Sequence, residues 1–228
     1  MKAAVYCGTR TLYADMIPAI KSLLHHSDVE RIYLLIEDDE FPFWLPPECV
    51  CVNVSDQKWF KPDGPNFKSQ WTYMVLMRAA LHNLFTDMDK ILSLDVDTIV
   101  TEDVSELWDI PLDGYYFAGA MEPWKSFQDK LYINCGVMLI NLKELRDGKG
   151  DEIINSLNTK FYMFNEQDCI NKLCQGHLLK ISSEYNSNAY TEQVPHYKIV
   201  HFACQRNWEN QPIVKLYGAM PWEEVRHG

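Results

Sequence analysis

Two carboxylates, Asp95 and Asp97, interrupt an otherwise apolar stretch, Lys90–Val100 (KILSLDVDTIV). Ile91, Leu92, Leu94, Val96, Ile99 and Val100 make that stretch read as a strand buried on both faces of a sheet. In an extended chain alternate residues share a face, about 7 Å apart at Cα, so both acids point one way and Val96 points back toward the core. Two acids leaving a buried strand together repel each other and resist desolvation, and a cation or a proton relieves them. The pair therefore reads either as a divalent-metal site at the carboxyl edge of an α/β sheet or as a strand end that simply meets water. A second stretch, Tyr132–Leu142 (YINCGVMLINL), places Gly136 inside a strand pattern between Asn134 and Asn141. Glycine there marks close approach of a ligand or another backbone. A third places Glu166, Gln167 and Asp168 directly after Asn165. Asn165 suits a helix cap, and acids in a first helical turn are favoured by the dipole whether or not they do chemistry.

The elements that must hold these groups follow from the pattern. Lys2–Cys7 reads as a first strand and Cys7-Gly8-Thr9-Arg10 as its exit turn. Met16, Ile17, Ile20, Leu23 and Leu24 recur at helical spacing between Leu12 and His26. Arg31–Ile36 and Val50–Val54 are the next strands, which makes a β-α-β-β opening and a largely parallel sheet with helices on its faces. Ser55–Lys68 is a loop punctuated by Pro62, Gly64 and Pro65. Ser69 opens a helix to about Phe85 that carries Arg78 at its middle, where a lone arginine is ordinarily solvated. Tyr115–Ala120 is a strand, Asp151–Leu157 a short helix and Glu166–Cys174 a helix capped by Asn165. Ile181–Tyr190 is loop-like, and Lys198–Phe202 is a last strand that ends near the lone His201.

Composition sets the class. A chain of 228 residues, 47% apolar, supports one large α/β domain spanning 1–228. No apolar run approaches the roughly 18 residues that span a bilayer, and the amino terminus has no basic region followed by a cleavage site. The seven cysteines are scattered, and Cys49-Val-Cys51 is not a zinc spacing, so reduced thiols and a cytoplasmic protein are expected. A net charge of −11 argues against nucleic acid, which demands a basic face. An acidic protein still binds a phosphorylated ligand when a metal mediates the contact.

Taken in order, these pieces resemble the family-eight glycosyltransferases. These are retaining, nucleotide-sugar-dependent enzymes of GT-A fold that include lipopolysaccharide galactosyl- and glucosyltransferases and glycogenin. The resemblance covers about residues 2 to 208 and rests on Arg78 before the acidic strand, LSLDVDTIV, YINCGVMLINL, NEQDCIN and IVHFA. It implies that Asp95 and Asp97 are a DxD metal pair and that His201 is the third ligand. It further implies donor contacts from Arg78, Asp95 and Asn134, with Glu166, Gln167 and Asp168 lining the donor sugar as the catalytic segment. Thr9 lies in the turn where the family holds base and ribose. In HFACQRNW, either Arg206 replaces the family's phosphate-binding lysine, since a guanidinium grips phosphate bidentately, or the diphosphate grip is weaker than in the family. The implied activity is transfer of a hexose, glucose or galactose, from a UDP-sugar to a carbohydrate, lipid-linked or protein acceptor that the motifs do not name.

Two carboxylates and an imidazole suit Mn²⁺ better than Mg²⁺, although Mg²⁺ is a substitute. Gln167 is a neutral amide and a poor nucleophile, which favours same-face displacement and an α-linked product. The ending PWEEVRHG lacks the basic, aromatic tail that takes some relatives to membranes, so membrane docking is not expected. Two rivals stand beside this reading. DVDT resembles the nucleophile motif of haloacid-dehalogenase-type phosphatases, but that motif normally lies on a first strand and continues into Gly-Thr. A catalytically degenerate nucleotide-sugar binder would keep the same motifs without turnover.

Overall fold

The computed structural model describes residues 1–127 and 130–225. The chain alternates strands and helices: β1 (Ala3–Cys7), α1 (Tyr13–His26), β2 (Arg31–Ile36) and β3 (Cys49–Asn53). A 3-10 segment, Tyr73–Ala80, runs into the short α2 (Leu81–Leu84) and then into β4 (Lys90–Leu94), β5 (Thr98–Val100) and β6 (Phe117–Met121). β7 (Ile133–Asn141) is followed by α3 (Leu142–Leu145), α4 (Lys149–Thr159), α5 (Asn165–Leu173), β8 (Leu178–Ile181), β9 (Ile199–His201) and α6 (Pro212–Ala219).

Seven strands form one sheet in the order β3-β2-β1-β4-β7-β6-β8, and β5 pairs with β9 in a separate ribbon. β1, β2, β3 and β4 run parallel, β7 runs antiparallel to both β4 and β6, and β6 is parallel to β8. The carboxyl ends of β1, β4 and β6 therefore share one edge, and β7 begins at that edge. All nine residues of β7 are buried, because layers cover both faces of the sheet. Met16, Ile20 and Leu23 of α1 pack on one face, and Met77, Leu81, Ile153 and Ile170 pack on the other. Each such side chain contributes roughly 1.5–3 kcal/mol when fully buried, so the sheet is a rigid floor for whatever its edge carries.

Three local expectations fail, each for a visible reason. Lys90–Val100 is not one strand. The Asp95 carbonyl accepts from Thr98 N at 3.2 Å and from Thr98 Oγ1 at 2.6 Å, which closes a turn after Leu94. The residues beyond it leave the main sheet and pair with β9, Thr98 opposite His201. Val96 is consequently half-buried in the turn, where it lines the cavity and still packs against the core on the α1 face. The helix expected from Ser69 starts at Tyr73, because the Ser69 hydroxyl bonds locally to Trp71 O and N while Thr72 stays extended. Its 3-10 winding sets residues three apart in line, which aligns Thr72, Val75 and Arg78. Asn165 does not cap α5: it is the first helical residue, with φ +44°, and its side-chain nitrogen donates to Ser69 Oγ at 2.7 Å. Asp168 does the capping by accepting from Phe164 N at 2.9 Å.

Candidate active site

The shared strand edge opens into a cavity of about 470 Å³ whose walls include Arg78, Asp95, Asp97, Asn134, Glu166, Gln167 and His201. Each element delivers its residue for a separate reason. The turn after β4 presents Asp95 and Asp97, and β9 pairs beside that turn, so His201 arrives at the same place. His201 Nε2 lies 3.4 Å from Asp97 Oδ1 and 3.6 Å from Asp95 Oδ2. Ligand atoms from the three residues fall within 4.8 Å of one another. The imidazole rests on Gly136, where a Cβ would come within 2.0 Å of His201 Cε1. The glycine inside β7 is therefore a seat for the histidine, which is the close approach its place in a strand pattern implied.

The electrostatics of this trio are those of a cation site. Burial alone would lower the pKa of His201, but Asp97 and Asp95 outweigh it and hold it above the ordinary imidazole value. Burial, with the Asp97 charge beside it, pushes the Asp95 carboxyl up against the opposing Arg78. Burial works against the Asp97 carboxylate too, yet His201 keeps it below the usual range. His201 Nδ1 meets the Asn186 side-chain oxygen at 2.8 Å; that acceptor requires the proton on Nδ1 and leaves Nε2 facing the two acids. Two carboxylates and one oriented imidazole nitrogen are a fitting donor set for a divalent ion, which would displace the proton held among them.

Arg78, expected in water, is only 5% exposed. Its guanidinium donates to the Cys135 carbonyl and the Asp95 carboxylate, and it lies 3.5 Å from Glu166 Oε1. A charge this deep is tolerable because two acids and a carbonyl surround it. Burial raises the pKa of Glu166 to about 7, although Arg78 opposes the shift.

The first turn of α5 is held differently. Gln167 accepts from Cys135 N at 2.9 Å and donates to Glu122 Oε1 at 3.1 Å and to Tyr132 OH at 3.3 Å. Asp168 accepts from Tyr132 OH at 2.5 Å and turns away from the cavity, so of the three expected catalytic groups it alone does not face it. Asn134 lines the cavity with one amide N–H given to Glu122 at 2.6 Å and its oxygen accepting from Gly136 N at 3.0 Å and Asn186 at 2.9 Å. Thr9 is hydrogen-bonded to Thr11, and Arg206 is exposed; neither lines the cavity, where Cys7, Leu12, Cys204 and Trp208 stand instead. Arg206 is carried off by the local backbone, in which Cys204 and Asn207 both take positive φ.

Sequence reasoning missed Glu122 and Asn186. Glu122 is 2% exposed and joins Asn134 to Gln167. It directly follows an apolar strand, β6, just as Asp95 follows β4, so the signal that singled out one acid was present for the other. Asn186 lies in a stretch that reads as loop; nothing short of the fold connects it to His201.

The chain matches the sequence profile of glycosyl transferase family 8 over residues 45–207. It is 24% identical to the glycosyltransferase GlyB of Streptococcus pneumoniae, over 93% of this chain and 56% of that protein. It is 28% identical to GlyD of the same organism, over 97% of this chain and 30% of that protein. This chain thus spans about half or less of the length of these curated relatives. The galactosyltransferase LgtC, in complex with donor and acceptor sugar analogues, superposes with a TM-score of 0.70 at 21% identity, covering 97% of this chain and 98% of LgtC. GlyE of S. pneumoniae superposes with a TM-score of 0.72 at 21% identity, covering 98% and 62%. These likenesses identify the mixed, mostly parallel sheet with its flanking helices as the GT-A fold. With most of its length matched to one profile, the chain belongs to glycosyl transferase family 8.

Proposed function

We propose that this chain, acting as a single catalytic unit, transfers a hexose, glucose or galactose, from a UDP-sugar to an acceptor with retention of the anomeric configuration. The observation that carries the reading is the meeting of Asp95, Asp97 and the oriented Nε2 of His201 at the edge of a cavity that also holds Arg78 and Glu166. Mn²⁺ fits that mixed oxygen and nitrogen donor set better than Mg²⁺. When bound, it would offset the charge that develops on the departing nucleoside diphosphate. Asn186 keeps His201 in the liganding tautomer, and Arg78 holds Asp95 in place through its guanidinium. Glu166, buried and facing the cavity, is placed to meet the hydroxyls or the positive charge of an oxocarbenium-like sugar, while Asp168 braces the turn from behind. Gln167 lines the cavity between them, and its neutral amide favours same-face displacement over a covalent intermediate.

The test is slow hydrolysis of a panel of nucleotide sugars with and without Mn²⁺, which needs no acceptor. UDP-glucose or UDP-galactose should be cleaved only with the metal, and Asp97→Ala should lose at least tenfold of that rate, or about 1.4 kcal/mol of barrier. Equal nucleotide affinity with and without metal in calorimetry, or a β-linked sugar released from the α-linked donor, would overturn the reading.

A further inference from the structure

A second cavity, about 440 Å³, lies immediately outside the first, and Lys125 belongs to the walls of both. Its lining is unlike the rest of this acidic protein: Lys125, Lys130 and Lys172 face it, with Asp168 as the acid among the lining residues. Asp168 is already committed to Tyr132 OH and Phe164 N. Lys125 is paired with Glu122 at 3.6 Å and sits over the Phe164 ring at 3.4 Å from its centroid, which fixes its ammonium between the two cavities. Lys130 and Lys172 are exposed, and no acid of the described residues pairs with either. Beside these cations the rim carries Phe161 and Met163, 70% and 67% exposed. A large apolar side chain at that exposure is costly in water and useful against a hydrocarbon ligand.

We infer that this second cavity is a subsite for the acceptor, and that it takes a phosphorylated amphiphile: a phosphate between Lys130 and Lys172, an alkyl chain over Phe161 and Met163. Calling the ligand an acceptor rests on the transferase reading; its binding does not. Phosphate is the anion that fits, because two lysine ammoniums acting as point charges match the charge of about −1.5 to −2 that a phosphomonoester carries near pH 7. The apolar rim selects an amphiphile over a free anion. A phosphorylated acceptor anchored here presents its remaining length toward Lys125 and the wall shared with the donor cavity.

The probe is dodecyl phosphate, held below its micellar concentration and titrated calorimetrically into the full chain without donor or metal. Dodecyl maltoside and inorganic phosphate serve as the two controls. Dodecyl phosphate should bind more tightly than either control, weaken about tenfold in Lys130→Ala/Lys172→Ala, and weaken again as salt rises. Phe161→Ser should weaken dodecyl phosphate and leave the small response to inorganic phosphate alone. Equal binding of the maltoside would make the site merely apolar, and equal binding of inorganic phosphate would remove the amphiphile; either result, or indifference to the double lysine variant, overturns the assignment. The titration needs no turnover, so failure of every UDP-sugar to be hydrolysed would strike the proposed reaction and not this binding site.

Discussion

The two walls of the cavity at the sheet edge are built on opposite principles. On the β4–β9 side, Asp95, Asp97 and His201 stand within ion-pair reach of one another, and their protonation balances depend on that closeness. Arg78 counters the excess negative charge from beneath. On the α5 side, Gln167, Asn134, Asp168, Glu122 and Tyr132 are joined to one another by neutral or singly charged hydrogen bonds. The first wall is electrostatically unfinished and suits a cation; the second is a hydrogen-bonded network in which Glu122 Oε2 alone lacks a hydrogen-bond partner among these groups and meets Lys125 at 3.6 Å instead. The transfer proposed above would call for both, since charge would be stabilised where a diphosphate leaves and the sugar held still where it reacts.

Removing the countercharge breaks the contrast most severely. Arg78→Met keeps the length of the side chain but leaves the buried Glu166 without a cation and the half-buried Asp95 with His201 alone. Such an unpaired charge costs about 3–5 kcal/mol, so chemical denaturation should show a loss of that order. A loss below about 1 kcal/mol would mean that both acids take up protons at little cost, and that the first wall is less charged than its geometry implies.

A smaller effect, confined to one wall, is expected of Gly136→Ala. The new methyl group cannot coexist with the imidazole at 2.0 Å, so His201 must swing off its seat or β7 must shift. Overpacking of this kind costs about 1–3 kcal/mol. Displacement of a ligand's orienting contacts typically weakens metal binding 10- to 100-fold, which Mn²⁺ calorimetry would read. The Gln167 network touches β7 one residue earlier, at Cys135 N, so nucleotide-free spectra should report whether the damage crosses from one wall to the other. A variant that binds Mn²⁺ as the parent does would dissociate the glycine from the histidine altogether.

How much of this was legible in advance divides along the same line. The strand run around Asp95, the glycine in Tyr132–Leu142 and the β-α-β-β opening all came from apolar periodicity, and they located the sheet and its loaded edge. The pleat that the extended pattern implies for Asp95 and Asp97 does not exist, since Thr98 folds the chain into a turn. The pair meets all the same, because a turn after Leu94 points both carboxylates off the sheet edge. Arg78 illustrates the opposite limit: its burial depends on Cys135, Asp95 and Glu166, partners 17 to 88 residues away, and no local pattern encodes them. The resemblance points to Thr9 and Arg206 by segment alone, whereas the observed wall uses Cys7, Leu12 and Trp208. Side-chain direction in an irregular turn is set by backbone angles such as the positive φ at Cys204, which a sequence does not display.

The subtlest test sets the charged wall against the closed one through Glu166, which belongs to α5 but faces Arg78. Its pKa stands near 7, raised from an ordinary 4.5 by burial against the opposing pull of Arg78. A carboxyl raised in the folded state binds its proton more tightly there than in the unfolded chain. Below about pH 4.5 both states are protonated and the group has no effect on stability. Between 4.5 and 7 the unfolded chain has lost the proton while the native state keeps it, so stability falls as pH rises, and the deficit is complete above 7. Glu166→Gln cannot titrate and should remove that decline. Denaturant titrations at pH 5 and pH 7 should therefore show the parent losing about 1–2 kcal/mol more across the interval than the variant does. Parallel behaviour of the two proteins would mean that Arg78 already holds Glu166 ionised. Glu166 would then belong electrostatically to the metal-side wall, and the contrast between the walls would reduce to hydrogen bonding alone.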